Sequence, residues 1–388
     1  MRFPEFSGEW EETTLGKISE ITKGSGISKD QLSEQGSPCI LYGELYTKYK
    51  SEVIGVVYSR TELESSSLVK SKANDVIIPC SGETAIDIST ARCVPFNNIL
   101  LGGDLNIIRL KHDDGGFFAY QLNGARKKDI ARVAQGVSVV HLYGENLKHI
   151  RVYHPVIEEQ KKITRLLSLI DERIATQNKI IEKMESLIKG LSQRLLSPKQ
   201  GWTSYKLDEL CQIKSGYSGI QVSFQTAYKV SRIETISNHC INMSRIGFVK
   251  EIPQEYKLRV GDILFSNINS VQYIGNTAFI DKDYGLYHGM NLLRIVPDSR
   301  IVFPRFIHLL LCSERLLRHF QSICNKAVSQ ASINQTSLGK TIMTIPSYKE
   351  QQHICSIIES VERKLDIETS LLKMLQYQKQ YLLRQMFI

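Results

Sequence analysis

Two strings in this chain have the residue types of catalytic motifs, and neither has the spacing. Leu338-Gly339-Lys340-Thr341 ends as a phosphate loop ends, but the GxxxxGK[ST] pattern needs glycine where Asn334 stands. Glu255-Tyr256-Lys257 is half of a metal-dependent nuclease pattern, with no aspartate between it and Asp208 to complete a metal pair. The nine histidines show no HxxxH spacing, and the eight cysteines show no CxxC pair and do not correspond between the two halves of the chain. Buried, reduced thiols are expected, with no metal site. A Gly-rich cofactor loop and an Asn-Pro-Pro-aromatic base-binding loop, which a methyltransferase needs, are both missing.

What remains is the chemistry of recognition. The net charge of +9 suits a polyanion, and it is uneven: residues 199–347 carry 17 Lys and Arg against 10 Asp and Glu, while residues 1–155 carry 18 against 19. Base edges are read by Arg, Lys, Asn, Gln and hydroxyls, with other residues holding phosphates. LYGELYTKYK gathers Tyr42, Glu44, Tyr46, Lys48, Tyr49 and Lys50 in one loop, and PCSGETAID places Ser81, Glu83 and Thr84 after an apolar strand. In the second half SRIETISNH offers Arg232 and Glu234, and SNINSVQYIG offers Asn267, Asn269, Ser270, Gln272 and Tyr273 after GDILF. Arg126, Lys127 and Lys128 are candidates for phosphate contacts.

The elements that position these residues occur twice. With a shift of 191, Val137, Ser138, Leu147, Pro155, Glu159, Gln160 and Ile163 fall on Val328, Ser329, Leu338, Pro346, Glu350, Gln351 and Ile354. With a shift of 192, Trp10, Leu15, Ile18, Ile21 and Gly24 fall on Trp202, Leu207, Leu210, Ile213 and Gly216. A period this long marks a duplicated domain. Each copy is read as mixed α/β, with strands at CILY, VIGVVY, DVIIP, LNIIRL, GDILF and MNLLRIV, and helices at 15–21, 117–133 and 304–323. Asp75 is expected to match Asp262, and Asn106 to match Asn291.

After each copy comes a long helix whose apolar seam steps by four and three. The first seam is Ile163, Leu167, Ile170, Ile174, Ile181, Met184 and Leu191; the second is Ile354, Ile358, Val361, Leu365, Leu372, Leu375 and Leu382. One polar layer, Gln177 and Glu368, interrupts both. The expected organisation is an α+β chain with globular domains at 1–155 and 199–347 and spacer helices at 156–198 and 348–388. An internal pseudo-two-fold would make the helices an antiparallel coiled coil separating the two α/β domains.

The Gly/Ala-x-Ser segment, the Pro followed by Glu-Gln, the heptad helix and the duplication of the whole resemble the specificity subunit of type I restriction-modification systems. The resemblance covers essentially the full chain. It implies that each globular domain is a target recognition domain reading half of a bipartite site in double-stranded DNA. The helices would dock two modification subunits that methylate adenine N6. S-adenosylmethionine and ATP would sit on modification and restriction subunits, leaving this chain with no cofactor and no catalytic residue. A cytoplasmic protein with no membrane partner is expected. The competing reading is an inactive or decoy coiled-coil adaptor whose heads bind protein.

Overall fold

The computed structural model describes residues 2–64, 66–326 and 330–387. Its contacts divide the chain into two units, residues 1–180 with 368–388, and residues 181–367.

In the first unit the apolar run Asp75–Pro79 is buried at all five positions, because both faces of its sheet are covered. The sheet is antiparallel, in the order Ser19–Lys23, Leu105–Leu110, Asp75–Pro79, Arg92–Val94. Val76, Ile78 and Ile108 pack with Phe117, Phe118 and Leu122 of the helix Gly115–Asn123. Ile77, Ile107 and Val94 point the other way, into a cluster with Ile40, Leu45 and Leu101. That second layer is a smaller sheet in the order Leu32–Ser33, Ser59–Thr61, Ser37–Ile40, Leu100–Leu101, with the last pair parallel.

The second unit uses the same plan. Its main sheet runs Cys211–Ser215, Leu293–Pro297, Ile263–Phe265, Thr277–Phe279. Its smaller sheet runs Gln221–Val222, Gly247–Val249, Tyr228–Val230, Leu286–Tyr287, again closing on a parallel pair. Asp75 and Asp262 do correspond. Each carboxylate accepts from the backbone N–H three residues earlier, on Lys72 (2.8 Å) and Arg259 (2.6 Å). Each also pairs with an arginine of the adjacent strand, Arg109 (2.8 Å) and Arg294 (2.7 Å).

Register corrects the other expected match. Ile21 pairs with Ile108 and Ile213 with Ile295, so Asn106 corresponds to Leu293, not to Asn291. Asn106 is buried in its strand and donates to the Leu142 carbonyl (2.9 Å), whereas Asn291 occupies a turn at φ 62°. Three local elements also differ from expectation. VIGVVY forms only a single bridge at Val53, and Val56 and Tyr58 are exposed; the strand begins at Ser59. The helix at Leu15 stops at Ile18, because Ser19–Lys23 is claimed by the main sheet. Residues 117–133 are two helices, Gly115–Asn123 and Lys127–Val133, parted at Gly124. Likewise 304–323 divides into Pro304–Leu311 and Glu314–Ile323, the latter capped by Ser313.

The long helices span Ile157–Leu195 and Tyr348–Met386, 39 residues each, and every seam residue named above is buried or half-buried. In the first unit Ile163, Leu167 and Ile170 share a core with Leu382, Met386 and Phe387, so the start of one helix lies beside the end of the other. In the second unit Leu195 and Leu196 share a core with Ile354, Cys355 and Ile358. Both contacts require antiparallel helices. The polar layer is one pair: Gln177 donates to the Glu368 carboxylate (2.6 Å) and main-chain carbonyl (3.0 Å).

The repeated Glu-Gln step is a joint between domain and helix. Gln160 donates to the Pro155 carbonyl (2.9 Å) and accepts from the Asp114 N–H (2.9 Å), at the start of the helix Gly115–Asn123. Gln351 repeats this with the Pro346 carbonyl (3.0 Å) and the Phe303 N–H (2.8 Å), at the start of Pro304–Leu311. Each glutamine thus ties its long helix to the helix packed on the main sheet. Ala327, Val328 and Ser329 of the duplicated segment lie outside the described residues.

Candidate nucleic-acid interface

The duplicated sequence and the candidate loops meet in the same way in both units. Beyond the strand Asp75–Pro79, Ser81–Gly82 pairs antiparallel with Val140–His141. Beyond Ile263–Phe265, Ile268–Asn269 pairs antiparallel with Ala331–Ser332. Gly82 faces Val140 as Asn269 faces Ala331, so the SGET and NINS loops are topological equivalents anchored on equivalent residues.

Their side chains are used differently. Glu83 is exposed, while Thr84 is exposed but caps the short helix Ala85–Ile88 through the Asp87 N–H (3.1 Å). Ser81 is half-buried. In the second unit Asn267 is held by the Ile333 carbonyl (3.3 Å), its Oδ1 buried without a hydrogen-bond partner among the described residues. Asn269 is folded onto its own loop, through Ser266 Oγ (3.2 Å) and the Ser270 N–H (2.9 Å). Ser270, Gln272 and Tyr273 form the exposed tip.

The LYGELYTKYK loop separates into two sets. Glu44 is 6% exposed; it accepts from the Leu41 N–H (3.1 Å), Lys48 Nζ (2.6 Å) and Ser59 Oγ. Tyr49 is 4% exposed and packs on Tyr58. Both were expected at the surface, and both instead hold the loop together. The alternation of polar and aromatic residues hid this, since Glu44 opens a helical turn, Glu44–Thr47, that folds its carboxylate inward. Lys48 and Lys50 remain exposed, and Tyr42 and Tyr46 half-buried. Burial raises the Tyr46 phenol above its ordinary value, and Tyr42, Glu83 and Asp87 add to the rise, so this loop and SGET converge.

Among the cations, Arg126 lies 4.9 Å over the Tyr153 ring and 3.5 Å from Asp129. Lys127 is half-buried, and burial followed by the nearby Arg92 lowers its pKa. Lys128 is exposed. In the second unit Arg232 is exposed, 3.7 Å from the exposed Glu234.

Each unit also carries a cleft that sequence reasoning missed. In the first, about 450 Å³ in volume, the walls include Gly26, Gln31, Tyr42, Gly103 and Asp104. In the second, about 460 Å³, they include Ser218, Gln221, Arg232, Met290 and Asn291. They occupy the same place. Parallel bridges join Ser25 to Gly102 and Tyr217 to Gly289, and two residues beyond those glycines stand Asp104 and Asn291. Register matches Cys39, which faces Leu100, to Val230, which faces Tyr287, so two residues further on Leu41 and Arg232 take the same place in the rims, followed by Tyr42 and Ile233. A Cβ on Gly24 would overlap the Gly102 carbonyl oxygen, and one on Gly216 the Gly289 carbonyl oxygen, which explains the repeated glycine. That repeat was the one signal in the sequence that pointed to the clefts.

Two units with the same sheet orders, loop anchors and clefts, but unmatched side chains on those loops, define a duplicated recognition protein. The family model for the type I restriction modification DNA specificity domain matches residues 7–186 and again 199–377, and the chain belongs to that family. It is 32% identical over 194 residues to the MjaX type I restriction enzyme specificity subunit of Methanocaldococcus jannaschii, covering 48% of this chain and 46% of that one. It thus spans under half the length of that relative. With the MjaVIII specificity subunit of the same organism it is 21% identical across 95% of this chain and 89% of the other. The specificity subunit of a type I restriction-modification system from M. genitalium superposes with a TM-score of 0.64 at 16% identity, covering 100% of this chain and 99% of that one.

Proposed function

We propose that this chain is the non-catalytic DNA-reading subunit of a type I restriction-modification complex. Each globular domain reads one half of a bipartite duplex site. The observation that carries this reading is the equivalence of SGET and NINS, two polar loops on one anchor with different side chains. Such a pair suits two unlike half-sites.

The long helices dock two methyltransferase subunits that bring S-adenosylmethionine, and restriction subunits bring ATP. In support, Met374, Tyr377 and Tyr381 are 61%, 71% and 54% exposed at three- and four-residue steps on the second long helix, an apolar stripe apart from the buried seam. No helix among the described residues is long and apolar enough to cross a membrane, and we place the complex in the cytoplasm.

The test is modified-base sequencing in a host without type I systems, expressing this chain with its modification subunit or that subunit alone. A split, asymmetric motif with methyladenine in each half, seen only when this chain is present, is the expected result. A soluble complex that adds no motif would overturn the reading in favour of an adaptor.

A further inference from the structure

The two clefts share a frame and differ in the polar groups around it. In the first, Asp104 is exposed and its carboxylate has no hydrogen-bond or ion-pair partner among the described residues. In the second, the equivalent residue is Asn291, and Arg232 stands where the first has the apolar Leu41. Both clefts lie beside the candidate loops, since Tyr42 and Arg232 belong to both. We infer that the cleft rims select bases, and that Asp104 in the first unit and Asn291 with Arg232 in the second determine which bases are accepted. This rests on the reading of the globular domains as DNA readers.

Donor and acceptor chemistry makes the inference specific. An ionised carboxylate only accepts hydrogen bonds, and against DNA it is repelled by phosphates unless a base amino group satisfies it. Asp104 therefore requires cytosine N4 or adenine N6 at its position and rejects the acceptor edges of guanine and thymine. Asn291 donates and accepts, which matches adenine N6 and N7, while the Arg232 fork matches guanine O6 and N7. The first half-site contains an obligatory amino-bearing base, and the second an adjacent guanine and adenine. The frame is rigid where it must be, because the close approaches at Gly24 and Gly216 hold each rim at one distance from its sheet.

The experiment uses the intact complex with the modification subunit in the host described above, comparing the parent with Asp104→Asn and Asn291→Asp. Asp104→Asn is expected to change the permitted base at one position of one half-site, and Asn291→Asp at one position of the other. Preference at that position should shift about 10- to 100-fold, the discrimination of one good side-chain–base pair. Each leaves the other half-site unaltered. Variants that copurify and methylate the parental motif unchanged in both halves would overturn the inference while leaving the DNA-reading function intact. A parent complex that yields no split motif would instead overturn that function. If one variant fails to accumulate, the other makes the same test alone.

Discussion

Lys379 occupies a seam position of the second long helix, yet its ammonium meets two carboxylates of the first unit, Glu52 at 2.5 Å and Asp171 at 2.6 Å. The side chains are 14%, 9% and 7% exposed, and Tyr120 donates to the other Asp171 oxygen at 2.7 Å. Lys379→Met keeps most of the stem and removes the charge, leaving two buried carboxylates facing each other. Removing one partner of a buried ion pair costs about 3–5 kcal/mol. In a unit of this size that lowers the melting temperature by about 10 °C.

The pH dependence carries the sharper signature. Burial, with Glu52 next, pushes the Asp171 carboxyl up to about 6. A folded-state value above the unfolded one means the group favours folding at low pH, and that contribution is lost as pH rises through about 6. That value holds with Lys379 beside the carboxyl and lowering it, so Lys379→Met pushes it further up. Acidification from pH 7.5 to 5 should therefore favour the variant more than the parent, and Asp171→Asn in that background should restore stability at pH 7.5. Denaturant unfolding followed at both pH values is the assay. A Lys379→Met protein within about 1 kcal/mol of the parent at pH 7.5, with no pH dependence of the difference, would show that the three groups do not form this buried cluster.

Gln351→Ala strands the Phe303 N–H and the Pro346 carbonyl, so denaturant titration should show a loss of about 2–4 kcal/mol in the second unit, and Gln160→Ala the same in the first. Gly24→Ala should abolish soluble folding, while Gly26→Ala, where an added Cβ meets nothing within 4 Å, should melt with the parent. Gln272→Ala, at the exposed loop tip, should alter only the second half-site in modified-base sequencing. Lys128→Ala should weaken all duplexes alike and reduce the salt slope of binding by about one.

The large-scale plan was legible because duplication and heptads are long-range regularities. Trp202, Leu207, Ile213 and Gly216, which repeat Trp10, Leu15, Ile21 and Gly24 without a gap, cannot be mistaken for local propensity, and the repeated Gln160 and Gln351 prove to be the same joint. Local detail was less legible where tertiary pairing decides. Ser19–Lys23 is a strand only because Leu105–Leu110 lies beside it, and VIGVVY, with stronger β composition, gains one bridge and no ladder. The candidate site was legible as loops but not as side chains. Glu44 looks like a loop carboxylate and is buried, while Glu234, one position before Thr235, the counterpart of Glu44, is exposed. No spacing rule separates them, because the difference lies in which residues close over each turn.

That pair shows how one backbone plan can serve two specificities. Glu44 consumes its carboxylate on the Leu41 N–H, Lys48 and Ser59, so the first rim is left to Tyr42 and Asp104. In the second unit the turn is instead closed by Thr235, which accepts from the Arg232 N–H at 2.8 Å and donates to the Arg245 carbonyl at 2.8 Å. Glu234 and the Arg232 guanidinium are thereby released to the cleft. Moving the structural work from a carboxylate to a hydroxyl changes the rim's charge pattern without moving a strand, since the flanking parallel pairs keep the same register. Replacing Glu44 alone should therefore damage the first unit's stability rather than redirect it, whereas exchanging Asp104 and Asn291 acts on groups no strand depends on.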